Sequence, residues 1–350
     1  MRLRTTLAAS VLALPLSLLS PPTSAAAGQT YVALGDSYAS GVGSRVYYGD
    51  SNGTSCLRSP KAYGPLIAAG YGLPLVLAAC SGAVADDVTD SQLRSVTTTT
   101  RYITLTVGGN DLGFSTVLTE CALPGWMSDC RGAVNGGLRV LADDLPGRLD
   151  TLLGRMRSRA PSAKVVLVGY PQVFNGVDCN AATFFSPKEQ ASLNGAVNQL
   201  NSLLQAKSSS IGAHFVNPVS AFAGHAWCSR REWINGLSYP GLNSYHPKVA
   251  GHSAYAQLVG PALLGRPLPL STTQGRRAST AVRLPLATAP QPIDVQAPDL
   301  SSLRATRAAT RAGITRSELR RLQQAQLSGA SNTTVERLNA QITRSAQQRR

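Results

Sequence analysis

The sequence lacks the features that would place it in several large classes of protein. After residue 27, no apolar run approaches the roughly 20 residues that a helix needs to cross a bilayer. The cysteines form no CxxC pair, and the histidines do not interleave with them as they do in a zinc finger. We therefore predict no membrane-spanning segment beyond the N-terminus, no metal site and no cofactor.

Residues 266–350 lack both lysine and aromatic residues, which decides how the net charge of +15 is interpreted. Fourteen arginines and four acidic residues follow Gly265, so this segment carries +10 and the rest of the chain little charge. Surfaces that bind nucleic acid combine clustered basic residues with aromatic side chains that stack on bases. Nucleic acid is therefore not an expected partner, and a basic surface-binding protein is kept as the non-enzyme alternative.

The composition of residues 266–350 predicts a basic tail rather than a domain. Pro, Ser, Thr, Ala and Arg dominate up to about Leu303, and such sequence can bury little apolar surface. Beyond Thr315 the apolar residues have helical spacing but are sparse, and a core of that size is not expected to be stable alone. We predict that this tail is largely disordered or weakly helical. Its arginines suit contact with an anionic cell envelope or lipid surface.

The N-terminal residues have the order of a secretory signal. Arg2 and Arg4 precede an apolar run that continues to Leu19, and small residues follow up to Gly28. We predict a signal peptide over residues 1–27 and a secreted, extracellular protein. A membrane anchor is the alternative, but the apolar run is shorter than a span requires.

Secretion changes the interpretation of the six cysteines. An even number of cysteines in an oxidising compartment predicts disulfides, here three of them. Six cysteines allow fifteen pairings, and the spacing alone does not choose among them. Sequential pairing is the simplest hypothesis, because each bond then closes a loop beside a candidate site segment.

Residues 28–265 alternate strand-like apolar runs with amphipathic stretches and form the predicted catalytic domain. This alternation predicts an α/β fold with a parallel sheet covered on both faces. Ligands of such sheets bind beyond the carboxyl ends of the strands, so unusual residues there are candidates for the site. The predicted strands cover residues 30–34, 73–78, 102–107, 164–169 and, more weakly, 214–216, and the helices include residues 138–157 and 187–206.

Ser37 is the candidate nucleophile, because the first strand runs directly into Gly35-Asp36-Ser37. A serine on a turn at a strand end is exposed, and backbone N–H groups there can face a developing negative charge. The motif is not the GxSxG elbow, since Ala39 stands where the last glycine would be. The structural alternative is a plain turn in which Asp36 caps the following helix.

Two other strand ends carry residues suited to an oxyanion hole. Asn110 follows two glycines after the third strand, and Gly82 follows the strand that ends near Ala78. With the backbone N–H of Ser37, the Gly82 N–H and the Asn110 carboxamide would supply three donors. The alternative for Asn110 is a turn in which Asp111 caps the next helix.

His246 is the candidate general base among the histidines. It lies in a loop just before a helix whose first residue is predicted to be Pro247, which gives the side chain a rigid mount. We expect His214 to be packed in a strand and His225 to be structural. His252 lies within the predicted helix, so the adjacent Ser253 is not expected to be a nucleophile.

These segments together resemble the four sequence blocks of the SGNH, or GDSL, hydrolase family. The blocks here are Gly35-Asp36-Ser37, Gly82 after Cys80-Ser81, Gly109-Asn110-Asp111 and the late His246, in the family order over roughly residues 29–265. Cys56-Leu57-Arg58-Ser59 and the six cysteines are similar to those of the secreted actinomycete lipases and phospholipases. The resemblance implies a flavodoxin-like, three-layer α/β/α fold.

The resemblance also implies roles for individual residues. Ser37 would be the nucleophile, Ser37 N–H with Gly82 and Asn110 the oxyanion hole, and His246 the general base. The disulfides of the family pair consecutively, which here implies Cys56–Cys80, Cys121–Cys130 and Cys179–Cys228.

One position departs from the usual family pattern. Many members carry aspartate three residues before the histidine, where this chain has Asn243. An amide cannot stabilise an imidazolium as a carboxylate does. Some secreted actinomycete members use a Ser–His dyad oriented by a backbone carbonyl two residues before the histidine, so we predict that the Ser244 carbonyl has this role.

The sequence therefore predicts a secreted serine ester hydrolase of the lipase, esterase or phospholipase A type. The expected partner is a lipid or small ester substrate, and we expect a monomer. A carbohydrate O-acetylesterase is the alternative enzyme, because related branches of the family use the same four blocks.

Overall fold

The structure is a computed structural model that describes residues 30–49, 56–269, 282–283 and 295–349, with only the backbone described for the pair 282–283. The predicted signal peptide, residues 1–27, lies outside these residues. Across the part of the chain that is described, no helix combines the length and the apolar character needed to cross a membrane.

A parallel sheet forms the centre of the molecule. Its strand order is β5-β4-β3-β1-β2-β6, and every neighbouring pair is parallel. β1 therefore lies between β2 and β3, and five of its six residues are buried. The strands are β1 (Thr30–Gly35), β2 (Leu75–Leu77), β3 (Thr100–Thr106), β4 (Lys164–Val168), β5 (His214–Val216) and β6 (Val282–Arg283).

Helices cover both faces of this sheet, which confirms the predicted three-layer α/β/α class. α2 packs against α8, α3 against α6, and α5 against α7. The helices of the sheet domain are α1 (Ser37–Ser40), α2 (Tyr63–Tyr71), α3 (Ala85–Asp90), α4 (Phe114–Cys121), α5 (Cys130–Asp143), α6 (Leu145–Arg159), α7 (Pro187–Ser210) and α8 (Val249–Leu264).

Local sequence signals explain where these helices begin. Ser186 and Glu189 form a reciprocal capping box at the start of α7, and Pro187 occupies its first position, where no N–H is needed. The single helix predicted over residues 138–157 is wrong, because the chain instead divides between α5 and α6 at Asp144. Pro146 lies in the first turn of α6 and cannot donate the N–H that a continuous helix requires.

Three disulfides close loops around the sheet domain. The described residues include all six cysteines, and each of them is in a disulfide. The disulfides are Cys56–Cys80, Cys121–Cys130 and Cys179–Cys228, which is the consecutive pairing that the resemblance implies.

The tail, predicted to be largely disordered or weakly helical, is helical over most of residues 295–349. These residues form three helices, which begin after the capping residues Ser302, Thr315 and Ser331. Their apolar side chains form a buried cluster that also includes Phe184 of the sheet domain. The sparse apolar residues are therefore buried against a partner surface, which composition alone does not reveal. The helices are α9 (Leu303–Ala312), α10 (Arg316–Leu327) and α11 (Asn332–Gln348).

Candidate active site

Ser37 lies at the carboxyl end of the central strand and begins the four-residue helix α1. The chain turns at Gly35, whose φ of +127° lies in a region that side chains other than glycine's rarely adopt. A Cβ at this position would also lie 2.1 Å from the carbonyl oxygen of Thr106. Asp36 then caps α1 by accepting a hydrogen bond from the Tyr38 N–H. The turn thus holds Ser37 at the edge of the sheet where β1 and β3 end.

His246 is in contact with Ser37 although 209 positions separate them in sequence. Its Nε2 lies 2.7 Å from Ser37 Oγ, and its Nδ1 lies 2.8 Å from the carbonyl oxygen of Ser244. The backbone N–H and side-chain amide of Asn235 both donate to the His246 carbonyl, each at 2.9 Å. The ring is therefore fixed at both nitrogens, and the loop that carries it is fixed by Asn235.

Asn243 does not orient the histidine ring. Its carboxamide oxygen accepts a hydrogen bond of 2.6 Å from the Tyr47 hydroxyl, and its side chain is turned toward that loop. Asn243, which stands where many related sequences carry aspartate, therefore binds Tyr47. The Tyr47 hydroxyl also accepts a hydrogen bond from the Gly43 N–H. The Ser244 carbonyl is the group that contacts His246 Nδ1.

Asn110 lies beside Ser37 in the same pocket, at the end of β3. One N–H of its carboxamide donates to the Ala83 carbonyl at 2.9 Å, which fixes the amide plane and leaves its second N–H for another acceptor. Gly82 has a positive φ of 81° and lies one residue before Ala83. Among the described residues, no acceptor engages the backbone N–H of Ser37 or of Gly82. Three donors that can take a further bond thus come from three neighbouring strand ends.

The predicted role of Asp111 as a cap of the helix that follows it is wrong. Gly113 precedes α4, and the Asp111 carboxylate instead accepts from the Ala85 N–H at the start of α3, at 3.1 and 3.3 Å. It also pairs with Arg148 at 3.3 Å. Asp111 therefore ties the Asn110 turn to the segment that follows Gly82, which a sequence-local capping rule cannot detect.

Tyr170 is a site residue that sequence reasoning missed. It follows β4 directly, so the same strand-end argument that selected Asn110 could have found it. Its hydroxyl donates a short hydrogen bond to the Asp36 carboxylate and accepts one of 3.1 Å from the Gly109 N–H. Burial raises the pKa of Asp36 to about 7, while the bonds from Tyr170 and from backbone N–H groups oppose this rise. Tyr170 therefore links the Ser37 turn to the Asn110 turn.

Arg58 is a second missed residue, and it is almost completely buried. Its guanidinium donates to the carbonyl oxygens of Ala79 at 2.8 Å and Ala78 at 3.2 Å. These residues lead from β2 into the Gly82 turn, and Cys80 is joined to Cys56 two residues before Arg58. The arginine and the disulfide together fix the loop that presents the Gly82 N–H.

An apolar pocket that is partly open to solvent is lined at one end by Ser37 and His246. One wall comes from α4 and the turn before it, and another comes from α7. Tyr245, between Ser244 and His246, closes part of the remaining side. The apolar lining consists mainly of Leu112, Phe114, Leu118, Val173, Val197 and Leu200.

The other three histidines have different contacts from those of His246. His252 is buried on α8 with its Nε2 3.1 Å from the Val42 carbonyl, and His225 stacks on Trp233. The expectation that His214 is packed is wrong, because it lies exposed on the edge strand β5. Ser253 is exposed on α8, and its hydroxyl donates to the backbone one turn earlier.

The fold and the site together define a class of protein. A serine hydroxyl bonded to a histidine, with hydrogen-bond donors beside it and an apolar pocket in front, is the arrangement of a serine ester hydrolase. Residues 33–254 match the model of the GDSL-like Lipase/Acylhydrolase family, and the chain belongs to this family. It is accordingly a carboxylic ester hydrolase.

Relatives with known names agree with this class. The chain is 40% identical to a lipase of Streptomyces rimosus over 225 residues, which are 64% of this chain and 82% of the relative. The crystal structure of an extracellular lipase from Streptomyces rimosus has a TM-score of 0.63 and 37% identity, over 67% of this chain and 99% of that one. That of phospholipase A1 from Streptomyces albidoflavus NA297 has a TM-score of 0.63 and 38% identity, over 67% of this chain and 100% of that one.

The environment of His246 predicts how activity depends on pH. Burial disfavours the charged imidazolium and lowers the pKa of His246 to about 4, although the Ser244 carbonyl opposes the change. A general base must be neutral, so activity should fall only as the pH drops toward this pKa. We expect kcat/KM for a soluble ester to decrease at acid pH, and the midpoint of this decrease should lie nearer 4 than the ordinary histidine pKa of about 6.5.

Asp36 is the second group that titrates in this site, with a pKa of about 7. The control is therefore the Asp36→Asn variant, in which the decrease that belongs to His246 must persist. A single decrease with its midpoint at or above about pH 6.5 in both proteins would contradict the prediction.

Proposed function

We propose that this protein is an extracellular, monomeric lipase or phospholipase A-type hydrolase in which Ser37 and His246 form a catalytic dyad. The observation that carries the proposal is the 2.7 Å contact between His246 Nε2 and Ser37 Oγ at the mouth of an apolar pocket. Extracellular action is supported by the signal-like residues 1–27 and by the relative whose crystal structure is described as that of an extracellular lipase.

The proposed reaction is acyl transfer through Ser37. His246 Nε2 removes the hydroxyl proton as Ser37 Oγ attacks the ester carbonyl, and a tetrahedral oxyanion forms. His246 then returns this proton to the leaving alcohol, which leaves an acyl-serine ester. Water attacks this ester with His246 again as the base, and the carboxylic acid is released while Ser37 Oγ regains a proton.

Three donors are proposed to stabilise the oxyanion: the N–H groups of Ser37 and Gly82 and the carboxamide of Asn110. The fixed amide plane of Asn110 and the open N–H groups support this role. Donors that are held in place before the reaction need no reorganisation as the charge develops, and one such donor contributes on the order of 10²–10³ in kcat.

The Ser244 carbonyl is proposed to take the part that a carboxylate takes in a catalytic triad. Its 2.8 Å contact with His246 Nδ1 selects the tautomer that leaves Nε2 free to accept the Ser37 proton. A neutral carbonyl stabilises imidazolium less than a carboxylate would, which agrees with the lowered pKa of His246. Asn243 supports this loop through Tyr47 and takes no part in proton transfer.

The shape of the pocket favours an acyl chain as the group that it binds. Leucine, valine and phenylalanine line its walls, and such walls gain free energy by burying methylene groups at about 0.8 kcal/mol each. A carbohydrate O-acetylesterase needs polar groups around a sugar and little depth for the acetyl group. We therefore rank acylglycerols and phospholipids above acetylated polysaccharides as substrates.

The Ser37→Ala variant tests the nucleophile. We expect it to lose at least about 10⁴-fold in kcat against a short p-nitrophenyl ester, because no other group can form the acyl ester. Thermal unfolding should stay close to that of the parent protein. Activity within tenfold of the parent would remove Ser37 from the mechanism.

Asn243→Ala provides the matched test of the dyad. We expect it to keep kcat within about tenfold of the parent, since the residue contacts Tyr47 rather than the histidine ring. Tyr47→Phe, which removes the other partner of the same hydrogen bond, should resemble it. A loss of several thousandfold in Asn243→Ala alone would mean that the amide orients His246 directly.

A side-by-side assay tests the substrate class. Release of fatty acid from a triacylglycerol and from phosphatidylcholine is measured beside release of acetate from acetylated xylan, each with Ser37→Ala as the blank. We expect hydrolysis of at least one of the two lipids and little release of acetate, because the pocket is apolar. Acetate release faster than either lipid reaction would support the O-acetylesterase instead.

We also propose that the C-terminal helices contact an anionic surface. Among the exposed arginines of α9, α10 and α11 are five that we propose contact this surface, and arginine binds phosphate through a planar pair of N–H donors. Near an anionic membrane each basic residue contributes about 1 kcal/mol of attraction. The five are Arg307, Arg316, Arg320, Arg337 and Arg344.

Replacing these five arginines with glutamine tests the proposed contact. We expect cosedimentation of the full chain with phosphatidylglycerol vesicles to weaken by about tenfold or more, and to be weak for both proteins with phosphatidylcholine vesicles. The control variant carries five equivalent changes on the sheet domain, at Arg101, Arg131, Arg139, Arg159 and Lys188. Equal losses in the two variants would mean that net charge, and not these helices, determines binding.

A further inference from the structure

The helices α9–α11, here called the C-terminal module (residues 295–349), pack against two loops of the sheet domain. The first loop, residues 121–130, joins α4 to α5 and is closed by a disulfide. The second, residues 178–186, leads into α7 and carries Cys179 of another disulfide. A backbone hydrogen bond of 3.1 Å from the Phe184 N–H to the Ala122 carbonyl joins the two loops beneath the module.

Polar contacts fix the module to the first loop. Arg304 donates to both carboxylate oxygens of Glu120, at 2.8 and 2.7 Å, and Glu120 is the penultimate residue of α4. The indole N–H of Trp126 donates to the side-chain oxygen of Asn339 on α11 at 3.0 Å. The apolar side chains of Trp126 and Met127 pack on the buried cluster of the module.

The second loop is held by other residues of the same module. Asn332 donates to the Asp178 carbonyl at 2.5 Å, and Gln326 donates to the Ala182 carbonyl at 3.4 Å. Phe184 is buried, with 9% of its surface exposed, within the cluster that the three helices form. One module therefore contacts both loops at the same time.

Each of these loops continues directly into one wall of the acyl pocket. Glu120 lies two residues after Leu118, a pocket residue of α4, so the contact with Arg304 holds the end of that wall. Ser186 caps α7, which forms another wall through Val197 and Leu200. The separation of α4 and α7 thus depends on the positions of two loops that the module joins.

A second connection runs from the module toward the catalytic loop. Phe184 packs on the module, whereas Phe185 faces the interior of the sheet domain. The ring of Phe185 lies 5.9 Å from that of Tyr245, which lines the pocket between Ser244 and His246. Adjacent residues of one loop therefore contact the module on one side and the lining of the pocket on the other.

We propose that the C-terminal module determines acyl-chain selectivity by holding the α4 and α7 walls of the pocket at a fixed separation. The proposal rests on the proposed acyl-transfer site at Ser37. The match to the family model ends at residue 254, and the two relatives of known structure align over 67% of this chain and 99–100% of their own. The module is thus an addition to the shared catalytic domain, so it can change selectivity without changing the chemistry.

No single contact carries the attachment of the module. The side chain of Arg304 is 56% exposed, and exposed ion pairs contribute little to stability. The attachment is instead shared between this pair, three side-chain amides and the buried apolar cluster. A variant that releases the module must therefore remove several polar contacts and introduce repulsion against Glu120, while the apolar core of the module stays intact.

The test variant combines Arg304→Glu, Asn332→Ala and Asn339→Ala in the full chain. We expect the ratio of kcat/KM for p-nitrophenyl decanoate to that for the butyrate to rise by about fivefold or more, because the released walls admit longer chains. The change should appear in KM for the decanoate, while kcat for the butyrate stays within about twofold, since Ser37 and His246 are untouched.

The matched control places equivalent changes on exposed positions of the same module: Arg321→Glu, Thr333→Ala and Gln341→Ala. It changes the charge by the same amount and should keep the parent ratio. Arg304→Lys alone, which retains a cation opposite Glu120, should keep it as well. Three outcomes would overturn the proposal. The ratio in the test variant could stay within twofold of the parent ratio, it could fall, or it could change equally in the control variant.

Folding and chemistry are checked independently of selectivity. If thermal unfolding shows that the triple variant is not folded, the single variants Arg304→Glu and Arg321→Glu are compared instead, and the same criteria apply to them. Equal loss at every chain length with a folded protein would indicate a structural role only and would overturn the proposal. Ester hydrolysis that survives Ser37→Ala would instead refute the proposed function, which separates the two failures.

Discussion

The contact between His246 Nε2 and Ser37 Oγ is the constraint on which the rest of the site depends. It joins residues 209 positions apart and requires the end of the first strand to meet the loop before the last helix of the sheet domain. The parallel sheet makes this possible because β1 is central and α8 returns to pack beside α2. The Tyr38 hydroxyl, which donates to the Tyr245 carbonyl at 2.7 Å, fastens the two segments next to the contact.

Burial gives this contact its chemical character. The histidine has no carboxylate partner at Nδ1, so desolvation dominates and keeps the imidazole neutral, with a pKa lowered to about 4. Asp36, the buried carboxylate next to Ser37, is instead bonded to Tyr170 and the α1 backbone. Asp36 therefore organises the turn that presents Ser37 and the neighbouring Asn110 turn, and the Ser244 carbonyl is the group in contact with His246 Nδ1.

Most of the site residues at strand ends were predicted from the sequence, whereas several long-range side-chain contacts around them were not. Ser37, Gly82 and Asn110 each follow a strand-like run, and in a parallel sheet such ends meet at one edge. The partner of Asn243 is Tyr47, which lies 196 positions away in a loop without a motif. The packing of the tail was not predicted for the same reason, because its apolar residues are buried against Phe184 and not only against each other.

Covalent labelling of the nucleophile tests the central claim most directly. A p-nitrophenyl alkylphosphonate resembles the tetrahedral intermediate and stays bonded to the serine that attacks it. Mass spectrometry of the labelled and digested protein should find one adduct, on the peptide that contains Ser37, and none in Ser37→Ala. The His246→Ala variant should label far more slowly. An adduct on another residue, such as Ser253, or an unchanged labelling rate without His246, would contradict the account.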